Sequence, residues 1–181
     1  MARLPADIVV TLSDLMAAEK STSVTPDWRP HPHRADHLSC LASLWIDGAI
    51  RFGLRLDLHG PRLVRPGRPF YGLTAMMFAA SGTETLHLGR LEFDPIGPEH
   101  LHRNIRNSAG APPTITGPHF HPFTENAALG IAALTPSGDL PLAFPFDRAF
   151  TTFHDVQDEI RARFTIPGLW LEEPPCSTTL I

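Results

Sequence analysis

Three His-x-His pairs stand in this chain of 181 residues: His31/His33, His100/His102 and His119/His121. Ten histidines placed at random would rarely give three such pairs. Histidine titrates near neutral pH and is the commonest metal-ligating side chain. In an extended segment residues two apart share a face, so each pair can present two imidazoles to one ion or one substrate.

The pairs differ in their surroundings. His119 and His121 lie in Gly117–Asn126, with Glu125 four residues beyond the second histidine. Two neutral imidazoles and a carboxylate leave open positions on a divalent metal for an exogenous ligand. The order H-x-H-x3-E resembles the first motif of the cupin superfamily, small β-barrels that often bind a divalent metal. That resemblance implies His119, His121 and Glu125 as three of the ligands. Pro118 and Pro122 bracket the pair and restrict it to an edge strand or a loop. A second reading is therefore a proline-bounded loop whose imidazoles bond to backbone.

His100, His102, Arg103 and Arg106 form a second group. Two imidazoles and two guanidinium forks suit an anion or an RNase-like acid–base pair, with Asn104 and Asn107 as further donors. The third group, His31, His33, His37 and Cys40, has the donor mixture of a zinc site but no matching second ligand pair. No phosphate-binding loop, nucleophile elbow or dinucleotide fingerprint occurs.

The elements that must position these residues read as follows. Leu41–Ile46 and the alternating run Ile50, Phe52, Leu54, Leu56 and Leu58 flank Asp47-Gly48, which predicts a hairpin with a two-residue turn. Phe70–Ala80 is nearly all apolar, as a strand buried on both faces would be, and Ser81-Gly82 turns it into a strand over Glu84–Asp94. Leu86 and Leu88 share one parity and Leu91 and Phe93 the other, so the phase slips at Gly89, which predicts a bulge. Residues 95–118 hold five prolines and read as a long loop. Thr124 begins a short helix that Gly130 weakens. Asp147 caps a helix over 148–164 with Phe150, Phe153, Val156, Ile160 and Phe164 as its apolar stripe and Glu159–Arg163 paired on its wet side. Near the N-terminus, Ser13 caps a helix over Asp14–Lys20, after which Pro26, Pro30 and Pro32 oppose regular structure.

The expected fold is α+β: a curved, mainly antiparallel sheet of two hairpins plus later strands, covered by the C-terminal helix. A small closed β-barrel is the alternative. Residues 1–40 read as an N-terminal extension, 41–166 as the domain and 167–181 as a proline-rich tail. Net charge is −4, with 12 basic and 11 acidic residues up to position 110 but 3 and 8 beyond it. Arg outnumbers Lys 14 to 1, so the arginines of 51–68 read as ordinary surface cations, and nucleic acid is not the expected partner. No signal peptide or membrane span is visible, and two distant cysteines suit a reducing cytoplasm. Trp28 and Trp170, set among prolines, suit contact with a protein partner or a second copy of the chain. The leading functional expectation is a non-enzymatic interaction or regulatory module. A metal-dependent or small-ligand enzyme, its cofactor a divalent metal, is the alternative. A nucleic-acid-binding or RNase-like protein is the third reading.

Overall fold

The computed structural model describes residues 6–61, 70, 72–81, 84–95, 101–105 and 110–175. In chain order these form α1 (Ala6–Ala17), β1 (Ser21–Thr22), β2 (Trp28–His31), β3 (Arg34–Ile46), β4 (Ala49–Pro61), β5 (Thr74–Ser81) and β6 (Glu84–Glu92). There follow β7 (Leu101–Arg103), β8 (Thr114–Thr116), β9 (His119–His121), α2 (Phe123–Ala127), α3 (Ile131–Leu134), β10 (Phe144–Pro145) and α4 (Phe153–Phe164). All paired strands are antiparallel. The main sheet runs β1-β3-β4-β5-β6-β9-β10, with β2 also on β3, and β7 and β8 make a separate pair. The fold is thus α+β with a C-terminal helix. The sheet is open: among the described residues β1 and β10 do not pair, which removes the closed-barrel alternative. No helix among those residues is long and apolar enough to cross a membrane.

The first hairpin turns on Asp47 and Gly48, both at positive φ (51° and 75°), as a turn matched to strand twist requires. Its alternation breaks near the turn. Leu54, Leu56 and Leu58 are buried, but Ile50 and Phe52 are 50% and 52% exposed. Phe52 and Gly53 take positive φ where the β3–β4 register slips, and that bulge turns the two apolar side chains outward. An added Cβ on Gly53 would lie 3.2 Å from the Ala80 Cβ.

The second hairpin has its turn outside the described residues. β5 is buried on both faces from Ala75 to Ala79, as its apolar sequence predicts. The bulge falls at Gly89: Met77 pairs with Gly89 and Phe78 with His87, leaving Leu88 as the extra residue. Leu86 and Leu91 both reach the core because of it. The same bulge places His87 and Arg90, three apart, on one face of the sheet.

Several boundaries differ from the sequence reading. Helix α1 spans Ala6–Ala17, so Ser13 lies within it and not at its start. Lys20 instead closes its far end, donating from Nζ to Met16 O (2.9 Å) and Ala18 O (2.8 Å). Regular structure begins well before Leu41. β3 starts at Arg34, and β2 contains Pro30 because β2 is an edge strand that can spare one N–H. The loop of 95–118 folds in part into the β7–β8 pair. Gly130, at φ 104°, splits the segment after Pro122 into α2 and α3, with Pro122 and not Thr124 at the N-cap.

Helix α4 starts at Phe153, capped by Thr152 and not Asp147, because Thr152 and Asp155 form a reciprocal capping box. Backbone and hydroxyl donors from Thr151 and Thr152 hold the Asp155 carboxyl far below its usual range. The Glu159–Arg163 pair forms at 2.8 Å, but Glu159 is buried and not on a wet face. Val156, Ile160 and Phe164 join the strand side chains in one core. Phe164 sits so closely on Gly89 that an added Cβ there would lie 2.8 Å from the ring. Beyond α4, Leu169 and Leu171 are buried, and Trp28 Nε1 donates to Glu172 O at 2.8 Å. Trp28 thus binds the chain's own C-terminal segment, while Trp170 is 60% exposed.

Candidate metal centre

The sheet has a core face and a polar face, and register decides which residues share each. Leu58, Ala75, Leu91 and Phe120 stand side by side on the core face. One residue away on each strand, His59, Thr74, Glu92 and His119 form a lateral row on the other face. A parallel row holds Asp57, Met76, Arg90 and His121. His119 and His121 therefore share a face as the extended reading requires. Their strand is not an edge: β9 pairs with both β6 and β10. Pro118 and Pro122 flank the three paired residues and so remove no ladder donor from them.

The β7–β8 pair brings a third imidazole. The ring of His102 lies 5.3 Å from that of His119 and 4.8 Å from that of His121. One potential ligand nitrogen from each of His102, His119 and His121 lies within 4.8 Å of the other two. Each ring has an orienting acceptor. His119 Nδ1 donates to Gly117 O at 2.8 Å and His121 Nδ1 to Leu140 O at 2.6 Å. His102 Nε2 donates to Asn104 Oδ1 at 3.1 Å. The carbonyl partners assign the neutral tautomers of His119 and His121, while His102 also bonds to the Pro141 carbonyl. They direct the lone pairs of His119 Nε2 and His121 Nε2 to the same side as Glu92, whose carboxylate oxygens lie 3.6 and 3.7 Å away.

Burial lowers the pKa of all three imidazoles, that of His121 to about 4, so they are neutral at pH 7. Burial alone would raise the Glu92 carboxyl, but the Arg90 guanidinium at 3.0 Å holds it below the ordinary carboxylate range. Arg90 knits the site together. Its guanidinium contacts Glu92 Oε1 (3.0 Å), Asp139 Oδ2 (2.6 Å) and the His121 Nε2 lone pair (2.9 Å). His87 Nδ1 lies 3.3 Å from the other Asp139 oxygen.

The outer support comes from one segment, residues 139–143. Asp139 and Leu140 both hold positive φ, near 50°, an uncommon conformation for residues other than glycine. This kink presents the Asp139 carboxylate to Arg90 and the Leu140 carbonyl to His121. Two buried asparagines then clamp the segment as strand partners would. Asn126 accepts from Leu142 N and donates to Leu142 O, both at 2.9 Å. Asn104 does the same for Ala143, at 2.7 and 2.9 Å. Metal-bound histidines are commonly held by such carbonyl and amide oxygens.

The sequence-predicted residues divide accordingly. His119 and His121 are in the cluster; Glu125 is exposed on α2 and stands apart from it, and Glu92 supplies the nearby carboxylate. After Pro122 the chain turns helical, so spacing along an extended strand no longer applies to Glu125. His102 lies beside the other two histidines, and Arg103 is exposed. His100 and Arg106 lie outside the described residues. Asn104 is a buried clamp rather than a free donor. Arg55 lies over the Phe78 ring at 4.7 Å.

Cys40 faces the core and His37 the opposite side, as residues three apart in a strand must, so Cys40 stands apart from the histidines, whose His31 ring lies 6.2 Å from that of His33, 6.5 Å from that of His37 and 6.3 Å from that of His59. Burial pushes the Cys40 thiol up to about 12. Arg90 and Glu92 escaped the sequence reading, although two charged residues two apart in a strand mark a polar face. Compared with protein-family models, with curated proteins and with solved structures, the chain matches none.

Proposed function

We propose that this protein binds one divalent transition-metal ion through His102, His119 and His121, with Glu92 as a fourth, carboxylate ligand, and uses it in metal-dependent chemistry on a small molecule. The observation that carries this reading is the convergence of three imidazoles, with the Nδ1–H of His119 and of His121 each committed to an orienting carbonyl. Imidazole and carboxylate donors together favour first-row ions such as zinc, iron or cobalt. Metal–nitrogen bonds of about 2.1 Å need the donors closer together than 4.8 Å, so the rings draw inward on binding. Arg90 then gives up the His121 lone pair and retains Asp139 and Glu92.

The test is metal content after equilibrium dialysis against zinc or cobalt. The reading expects about one ion per chain, and a loss of affinity of at least 100-fold in His119→Ala/His121→Ala, since two of four ligands go. An undialysed and a reloaded chain that both lack bound metal would overturn it. A second reading, the interaction module, draws on the exposed Ile50 and Phe52 at the hairpin tip and on Trp170. Light scattering decides it: a dimer lost in Phe52→Ser supports the module, and a monomer at all concentrations counts against self-association.

A further inference from the structure

A second group of imidazoles gathers on β2, β3 and β4. The His31 ring is its middle member, 6.5 Å from that of His37 and 6.3 Å from that of His59. Register explains the convergence. Between Pro30 and His31 the partner on β3 jumps from Leu38 to Arg34, which leaves 35–37 as extra residues opposite β2. Such a bulge re-aims side chains. On the other side of β3, Ser39 pairs with His59 and His37 with Pro61, so His37 and His59 are diagonal neighbours on one face. His59, not Cys40, thus completes the group read from residues 31–40. It ends the lateral row that leads through Thr74 and Glu92 to His119, three strand spacings or about 14 Å away. The group is distinct from the cluster of His102, His119 and His121.

His37 supplies the second observation. Its side chain is only 3% exposed, its Nδ1–H donates to Asp36 Oδ1 at 2.8 Å, and its Nε2 is buried with no hydrogen-bond partner. With the proton on Nδ1, Nε2 offers a lone pair that only a proton donor or a metal ion can engage. A carboxylate behind one ring nitrogen and a bare lone pair on the other is how histidines are oriented toward a metal. His37 and His59 also share the wall of one cavity of about 380 Å³. The neighbouring charges admit a cation, since Asp36 answers Arg34, Asp57 acts on His31 and Glu92 acts on His59.

We propose that His31, His37 and His59 form a second, weaker site for a divalent transition-metal ion. Three imidazoles suit zinc or cobalt and leave a fourth position for water or a small ligand. The rings of the first cluster stand 4.8–5.3 Å apart, so His31 must close on its partners by about 1 Å. It is placed to do so: it ends edge strand β2, and its Nδ1 gives up one exposed bond, from His33 N at 3.1 Å. That rearrangement costs affinity, so this site fills after the single ion expected above.

Calorimetric titration of the natural chain with zinc tests the proposal. Two phases of one ion each are expected. His31→Ala, at a half-buried position, should weaken the second phase about 10-fold or more and leave the first unchanged. Asp36→Asn, at a position 78% exposed, removes the carboxylate behind His37 and should also weaken the second phase alone. His119→Ala/His121→Ala should keep only the weaker phase. A first phase with no second up to about 1 mM zinc, or a second that His31→Ala leaves unchanged, overturns this inference alone. A single ion that His119→Ala/His121→Ala keeps and His31→Ala loses supports this site and overturns the metal reading above. A chain that binds no zinc overturns both.

Discussion

Asn126 touches none of the histidines, yet its replacement should weaken both the fold and the metal centre. Asn126→Ala removes the bonds to Leu142 N, Leu142 O and Pro122 O, of 2.9, 2.9 and 2.7 Å. The Pro122 carbonyl keeps a second donor, the Asn126 backbone N–H, so its loss is small. Leu142 is buried, and its N–H and C=O are left without partners. Each such group costs about 1–3 kcal/mol, so the expected destabilisation is roughly 3 kcal/mol, more than 100-fold in the folding equilibrium. Two residues upstream, the Leu140 carbonyl that orients His121 loses its support, and displaced second-layer partners typically weaken metal binding 10–100-fold. Denaturant titration of the metal-free protein, followed by tryptophan fluorescence, measures the first effect. Cobalt titration under fully native conditions measures the second. Asn126→Asp should be no better than alanine, since it turns two donors into acceptors facing carbonyls. A destabilisation under 1 kcal/mol with unchanged cobalt affinity would refute the reasoning.

Two further predictions concern the frame around the site. Gly89→Ala places a Cβ 2.8 Å from the Phe164 ring and should cost about 1–3 kcal/mol by overpacking. In a Phe164→Leu background the same change should cost clearly less, and strictly additive costs in a double-mutant cycle would show that the two residues do not touch. Burial pushes the Lys20 ammonium down to about 8, from an ordinary 10.5. The unfolded chain therefore binds more protons between pH 8 and 10.5, and this residue makes stability rise with pH across that window. Subtracting the unfolding free energies of Lys20→Met from those of the natural chain should isolate that rise; parallel curves would contradict it.

What was legible in the chain was local. Asp47-Gly48 marks its hairpin because only a few residue types accept positive φ at both turn positions. The bulge at Gly89 shows in the change of parity between Leu88 and Leu91. His119 and His121 declare a shared face by spacing alone. The rest depends on contacts between segments far apart in sequence. His102 reaches the pair through the β7–β8 hairpin, and Glu92 through the register of β6 on β9. Nothing local encodes either contact. Glu125 fits a ligand spacing only if the chain stays extended, and Pro122 starts a helix there instead. Phe52 reads as core by alternation, but the positive φ it shares with Gly53 reverses its face. The supporting asparagines carry no sequence signal, since their bonds reach 16 and 39 residues along the chain.

The central claim is that three imidazoles and Glu92 surround one ion. X-ray absorption at the cobalt edge of the reconstituted protein tests it most directly. The account predicts multiple scattering from three imidazoles in the natural chain, two in His102→Ala, and three with altered oxygen coordination in Glu92→Gln. A spectrum with one imidazole or none, or one that His102→Ala leaves unchanged, would contradict it.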